Sequence, residues 1–360
     1  MFTKIHDKVF GREAIIAAGL SDYSLEDTLE CGQCFRYLKL YPAENAEKEN
    51  TKANGASGSA TGASLKRSEA STDTVAKANA EAHHEAYPEG YCEYMTVVKE
   101  TLIFVGQRTR GELIFYGMTD EDFDSVAVPY FALDTDYGRI KADVIKNTDS
   151  EFLRSAAEAA SGIRILRQDP WEALFSFIVS QNNNIPRIRK IIRALSAAYG
   201  ECLAEKYGVK VCPVSTCGEA PSPEKCRECG ICHTFPTARA VKDAPDLMLP
   251  SHPGFRFKYL LDAAERVDSG EIDLEAIASA ASYEHTLAEL TKIKGVGEKV
   301  ASCTALFGFG NLEAFPIDVW MKRAIDEYFG GNLDPKTLGA YAGVAQQYIF
   351  HYIRILAKSR

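Results

Sequence analysis

The stretch LTKIKGVGEKVASCTALFGFGNLEAFPIDVW, residues 290–320, decides how the rest of the chain is read. Leu290 and Ile293 fall on the apolar face of a short helix. Val300, Ala301, Ala305 and Leu306 resume such a face after the turn Gly295-Val296-Gly297. Glycines on both sides of Val296 permit an approach that a Cβ would block. The first amides of the second helix have no partners within it and lie at the positive end of its dipole, so the turn suits a phosphate. A glycine C-cap between two packed helices would be spelled the same way.

Two residues attach chemistry to this turn. Lys299 comes early in the second helix, where the dipole and partial burial favour the neutral, nucleophilic amine. Asp318, just past Pro316, can cap the helix that starts at Val319 and can also stabilise a forming sugar cation.

Hairpin, lysine and Pro-x-Asp together resemble the signature of the helix-hairpin-helix-GPD DNA glycosylases, whose lysine marks members that form a Schiff base with the sugar. The flanking residues are similar to those of the 8-oxoguanine DNA glycosylase family. Four further motifs carry the resemblance in the family's order: CGQCFRY at 31–37, IRILRQDPWEALFSFIVSQNNNIPRI at 163–188, GFRFKYL at 254–260 and AQQYIF at 345–350. The resemblance covers most of the chain, two inserted stretches excepted. Trp320 departs from it, because the eukaryotic pattern has there a histidine that touches DNA phosphate. Cys34 and Phe255 are milder departures, and together the variations look bacterial.

Composition agrees with a folded enzyme. The chain has 360 residues, of which 46% are hydrophobic, enough for two or three compact units. No apolar run reaches the roughly 18 residues of a membrane span, and the opening MFTKIHDKVFGREAII lacks a signal-peptide core. A cytoplasmic, monomeric protein, nucleoid-associated when on damaged DNA, is the expectation. The net charge of −9 is set against local basic clusters: Arg164, Arg167, Arg187, Arg189, Lys190 and Arg193 around the Asn run, and Lys292, Lys294, Lys299, Lys322 and Arg323 around the hairpin. A basic face on an acidic protein predicts DNA affinity that falls steeply with salt.

The pattern predicts an α+β fold: an N-terminal antiparallel β-sheet domain over 1–133, followed by a mainly α-helical helix-hairpin-helix glycosylase body over 134–360. Residues 35–40, 92–98, 101–107 and 112–116 read as strands. Helical periodicity dominates later, for example at 171–180, 188–199, 257–267 and 340–356, with the helix-hairpin-helix at 287–307. Residues 43–87, rich in Ala, Ser, Thr, Gly, Glu and Lys, read as a disordered insertion in the sheet. A second, cysteine-rich insertion spans about 205–234. Its Cys212, Cys217, Cys226, Cys229, Cys232 and His233 form a candidate pool for a structural zinc, set against unligated thiols.

The resemblance implies base-excision repair of duplex DNA containing 8-oxoguanine, paired with cytosine. Lys299 would attack the sugar and Asp318 would stabilise the developing charge, giving DNA glycosylase and β-elimination lyase activity with no cofactor for catalysis. Gly32 would read the lesion's N7–H through its carbonyl. Cys303 and Phe350 would cover the two faces of the base, and Gln346 would meet its Watson–Crick edge. Asn182 would fill the vacated space, with Arg187 and Arg256 on the orphaned cytosine and Phe255 wedged beside it. Gly295, Val296 and Gly297 would hold the DNA backbone. Two alternatives stay open: a superfamily glycosylase for another damaged purine, and a non-catalytic DNA-binding protein.

Overall fold

Phe10 and Gly11 both adopt positive φ, 51° and 76°, and this tight turn joins β1 (Thr3–Val9) to β2 (Arg12–Ala18). The computed structural model describes residues 2–41, 87–209 and 230–358. Helix α1 (Leu25–Glu30) and strand β3 (Tyr37–Tyr41) follow, then β4 (Cys92–Val98), β5 (Thr101–Gln107) and β6 (Glu112–Tyr116). They form one antiparallel six-stranded sheet in the order β1-β2-β6-β5-β4-β3. Of the four strands predicted, three match at both ends and the first starts at Tyr37 rather than Phe35.

The sequence reading passed over β1 and β2. β1 reads TKIHDKV and is exposed for most of its length, so it offers little apolar signal beyond its turn. β4 and β5 are buried on both faces. Tyr94, Ile103 and Val105 pack with Leu25, Leu29, Phe123 and Phe131. On the other face Met95, Val97 and Leu102 meet Leu203, Ala204 and Ile231.

The helical body is built round α2 (Pro170–Ser180), whose residues Ala173 to Val179 are all buried. Its start is sharp because Asp169 accepts from the amides of Trp171 and Glu172, and Pro170 fills the first position. The other helices that shape the site are α3 (Ile185–Tyr199), α4 (Phe257–Asp268), α5 (Tyr283–Leu290), α6 (Glu298–Gly308), α7 (Val319–Tyr328) and α8 (Ala342–Lys358). α6 lies against α2, with Phe177 and Phe307 stacked at 5.4 Å between ring centres.

Sheet and body are tied by buried polar groups. Gln33 donates to the carbonyls of Thr28 and Arg164 and accepts from the Leu166 amide, while Gln168 donates to the Gln33 carbonyl. Arg36 pairs with Glu172 at 2.7 Å. Burial pushes the Glu172 carboxyl above its ordinary range, and Arg36 opposes that. Arg36→Met should therefore destabilise the fold by about 3–5 kcal/mol at neutral pH, because Glu172 keeps a buried charge without its partner. For an acid whose folded pKa is raised, the penalty is present above that pKa and vanishes below the unfolded value. The deficit should thus shrink as pH falls towards 4.5. Urea denaturation of the variant and parent across that range checks both the size and the sign.

Two expectations need correction or placing. Arg164 does not join a basic surface. It is buried, donates to the carbonyls of Ser161, Ile163, Ser21 and Asp22, and stacks on Tyr137 at 4.4 Å. Four of the candidate zinc ligands (Cys212, Cys217, Cys226 and Cys229) and residues 43–86 lie outside the described residues. Cys232 and His233 are buried. Among the described residues no group of three or more His, Cys, Asp or Glu is gathered to hold a metal.

Candidate active site

α5 and α6 flank the glycine turn as the spacing predicts. Gly295 has φ +79°, and a Cβ there would lie 2.4 Å from the Tyr259 ring of α4, so only glycine fits. The Val296 amide donates to the Ile293 carbonyl, and the Val296 side chain is buried. Gly297 caps α6 without any side-chain bond. The first amides of α6 therefore face outward beside a free turn, the arrangement that suits an anion. The Lys294 amide, by contrast, is held by the Asp262 carboxylate at 2.8 Å.

Lys299 projects from the first turn of α6 and is half-buried. Its Nζ donates to Ser180 Oγ at 3.4 Å and lies 5.4 Å from the centre of the Phe177 ring. Ser180 in turn donates to the Phe177 carbonyl at 2.7 Å, which orients its oxygen towards the amine. Asp318 caps α7, with Oδ1 accepting from the Trp320 and Met321 amides, both at 2.9 Å.

A cavity of about 60 Å³ is lined by Gly32, Phe177, Lys299, Cys303, Phe307, Pro316, Asp318, Gln346, Gln347 and Phe350. Every residue assigned above to catalysis or to the base is in that lining. That space holds roughly two waters, so a purine enters only as the lining gives way. Burial raises the Cys303 thiol above its ordinary value, with Lys299 lowering and Asp318 raising it in turn. The thiol thus stays protonated at neutral pH and serves as an apolar wall.

The Gly32 wall is positioned by contacts that sequence reading missed. Gly32 has φ +98°. Arg354, one turn past Phe350, donates to the Cys31 carbonyl at 2.9 Å and sits 5.2 Å from the centre of the Phe350 ring. One side chain therefore links the loop at Gly32 to the ring across from it. The i, i+4 relation of Phe350 and Arg354 on α8 was the available signal.

A wider cleft of about 450 Å³ shares Lys299 and Asp318 and adds Asn182, Gly297, Val319 and Lys322. α2 ends at Ser180, and Asn182 takes a left-handed φ of 47°. Asn184 then caps α3 by accepting from the Arg187 amide. Asn182 and Arg187 are exposed. Phe255 is 47% exposed, edge-on to Tyr259. Arg256 differs: it is buried, and its guanidinium donates to the Gln181, Asn182 and Pro253 carbonyls. Burial, then the like charge of Arg187, lowers its pKa.

Comparison with known proteins fits this geometry. A family model described as "8-oxoguanine DNA glycosylase, N-terminal domain" matches residues 15–174. The N-glycosylase/DNA lyase of Saccharomyces cerevisiae is 31% identical over 205 residues, which cover 54% of this chain and 48% of that protein. The chain spans about half the length of this and the Arabidopsis thaliana relative. Among solved structures, MBOgg1 in complex with a low-affinity DNA ligand superposes with a TM-score of 0.70 at 28% identity, covering 99% of both chains. The Clostridium acetobutylicum 8-oxoguanine glycosylase/lyase, bound to DNA with cytosine opposite 8-oxoguanine, gives 0.68 at 28% identity over 99% of this chain and 98% of that one.

Proposed function

We propose that the chain is a member of the 8-oxoguanine DNA glycosylase family, and that it removes 8-oxoguanine from duplex DNA and cleaves the abasic site by β-elimination. The observation that carries the proposal is the shared cavity: Gly32, Lys299, Cys303, Asp318, Gln346 and Phe350 come from distant parts of the chain and line one space.

In this reading the damaged nucleotide is swung out of the helix, since its sugar cannot be attacked within the stack. The Lys299 amine adds to C1′ as the C1′–N9 bond breaks and the base leaves with the electron pair. The Asp318 carboxylate stabilises the charge at that carbon. One amine proton goes to the departing base, and the C1′–O4′ bond then opens, with O4′ taking a proton from water, to leave a protonated Schiff base at C1′. This acidifies the C2′ proton, whose transfer to the hydroxide so formed expels the 3′ phosphate. Amine, carboxylate and water suffice for these steps.

The lesion differs from guanine by an oxygen on C8 and a hydrogen on N7, and the Gly32 carbonyl accepts that hydrogen where guanine would present a second acceptor. Phe350 and Cys303 cover the base, and Gln346 meets its Watson–Crick edge. Gly295 and Gly297 offer the DNA backbone their amides, and Val296, whose amide is held by the Ile293 carbonyl and whose side chain is buried, fixes the turn between them. Asn182 fills the gap left by the base, with Phe255 wedged beside it. Exposed Arg187 is the first contact for the orphaned cytosine. Arg256 holds the Asn182 loop through its carbonyl contacts and reaches the cytosine only by exchanging them. The compartment follows from the substrate; among the described residues no helix is long and apolar enough to cross a membrane.

Borohydride trapping on duplexes carrying 8-oxoguanine opposite each of the four bases tests chemistry, lesion and partner together. Trapping should be strongest opposite cytosine. Absence of trapping on all four, with turnover of an alkylated purine instead, would transfer the enzyme to another branch of the superfamily.

A further inference from the structure

Gln347 lines the same cavity as Gln346 and has no part in the chemistry above. It is 4% exposed, and its Oε1 is buried with no hydrogen-bond partner among the described residues. A short relay explains why this oxygen is left over. The Pro316 carbonyl can only accept, and it takes Nε2 of Gln346 at 3.1 Å. The Gln346 amide must then turn Oε1 the other way, where Nε2 of Gln347 donates to it at 2.6 Å. One N–H of Gln347 is thus directed at Gln346, which fixes the side of the amide that Oε1 takes, and among the described residues nothing donates to that oxygen. A buried acceptor without a partner is unfavourable and calls for an explanation, which a ligand in the adjoining cavity supplies.

We propose that Gln347 orients the Gln346 amide and offers its own Oε1 as a second acceptor to the N–H donors of a guanine-type base. This inference rests on the base-excision reading and deepens it. The Watson–Crick edge of a guanine-type purine carries two adjacent donors, N1–H and the N2 amine. An adenine-type purine has a bare acceptor at N1. The remaining lone pair of Gln346 Oε1 and the free Oε1 of Gln347 match the first edge and repel the second. This selection is separate from the Gly32 contact. Gly32 reads oxidation at the N7 side, whereas the glutamine pair reads which purine was oxidised.

The test is single-turnover excision opposite cytosine of 8-oxoguanine and of 8-oxohypoxanthine, which lacks only the N2 amine. Parent, Gln347→Leu and the volume-conserving Gln347→Met are compared. Rates are normalised to borohydride trapping on an abasic duplex, which offers no base to read. The parent should prefer 8-oxoguanine by about tenfold or more, and the variants should narrow that preference to below about threefold while slowing 8-oxoguanine excision by about tenfold. A variant that folds, traps on the abasic duplex and keeps the parental preference and rate overturns the proposal. A parent that leaves 8-oxoguanine uncut overturns the base-excision reading first, and this inference with it.

Discussion

Lys299→Gln should abolish both release of 8-oxoguanine and borohydride trapping, a loss of at least about 10³-fold in single-turnover rate. The glutamine amide nitrogen is not nucleophilic, so neither the C1′ bond nor the Schiff base can form. The substitution is mild for the fold. Lys299 is half-buried, and its Nζ donates to Ser180 at 3.4 Å and lies 5.4 Å from the centre of the Phe177 ring. A glutamine, one bond shorter and still polar at its end, keeps the packing of the first three side-chain carbons. Melting temperature and affinity for an uncleavable lesion duplex should stay near parental values while the chemistry is lost. Trapping at the parental level would remove Lys299 from its assigned role.

Asp318→Asn should slow base release by about 10²- to 10³-fold, the range found when one electrostatic contact to a developing charge is removed. Asp318 has a second occupation, because its Oδ1 accepts from the Trp320 and Met321 amides at the start of α7. Asparagine retains that acceptor and caps a helix about as well as aspartate. The variant therefore separates the two occupations: stability should be nearly unchanged while the rate falls. Asp318→Ala should lose the cap as well, at about 1 kcal/mol. If Asp318→Asn excises the lesion within twofold of the parent, Asp318 is a helix cap and the charge at C1′ is met elsewhere.

The two variants probe two residues that line one cavity, and the separation of their effects depends on how the fold presents them. Lys299 owes its place to α6, which is locked against α2 by the Phe177–Phe307 stack. Asp318 owes its place to the start of α7, where Trp320 also packs against the core. Trp320 stands where the eukaryotic pattern has a histidine, and its backbone amide serves the Asp318 carboxylate. The nearby exposed Lys322 lines the cleft.

Much of this was legible in the linear chain, for a physical reason. The helix-hairpin-helix is local: two apolar helical faces and a glycine turn lie within twenty-odd residues, so Gly295, Gly297 and Lys299 announce themselves together. The cap at Asp318 and the shared face of Gln346 and Phe350 are local in the same sense. The strands β4 to β6 were readable because burial on both faces makes them continuous apolar runs. β1 was not, because an exposed edge strand takes its structure from pairing rather than from its own apolar pattern.

What only tertiary structure decided is which charged and polar groups are spent on the fold. Arg164 and Arg256 look, as letters, like Arg187. The fold buries the first two against backbone carbonyls and leaves the third in solvent. Likewise Gln33, Arg354 and Gln347 gain their roles from partners far away in sequence or from the direction in which a neighbouring carbonyl turns an amide. Residue type and short-range spacing set what each group is able to do. Desolvation and hydrogen-bond commitment, which exist only once distant segments meet, set which of those abilities remains available to DNA.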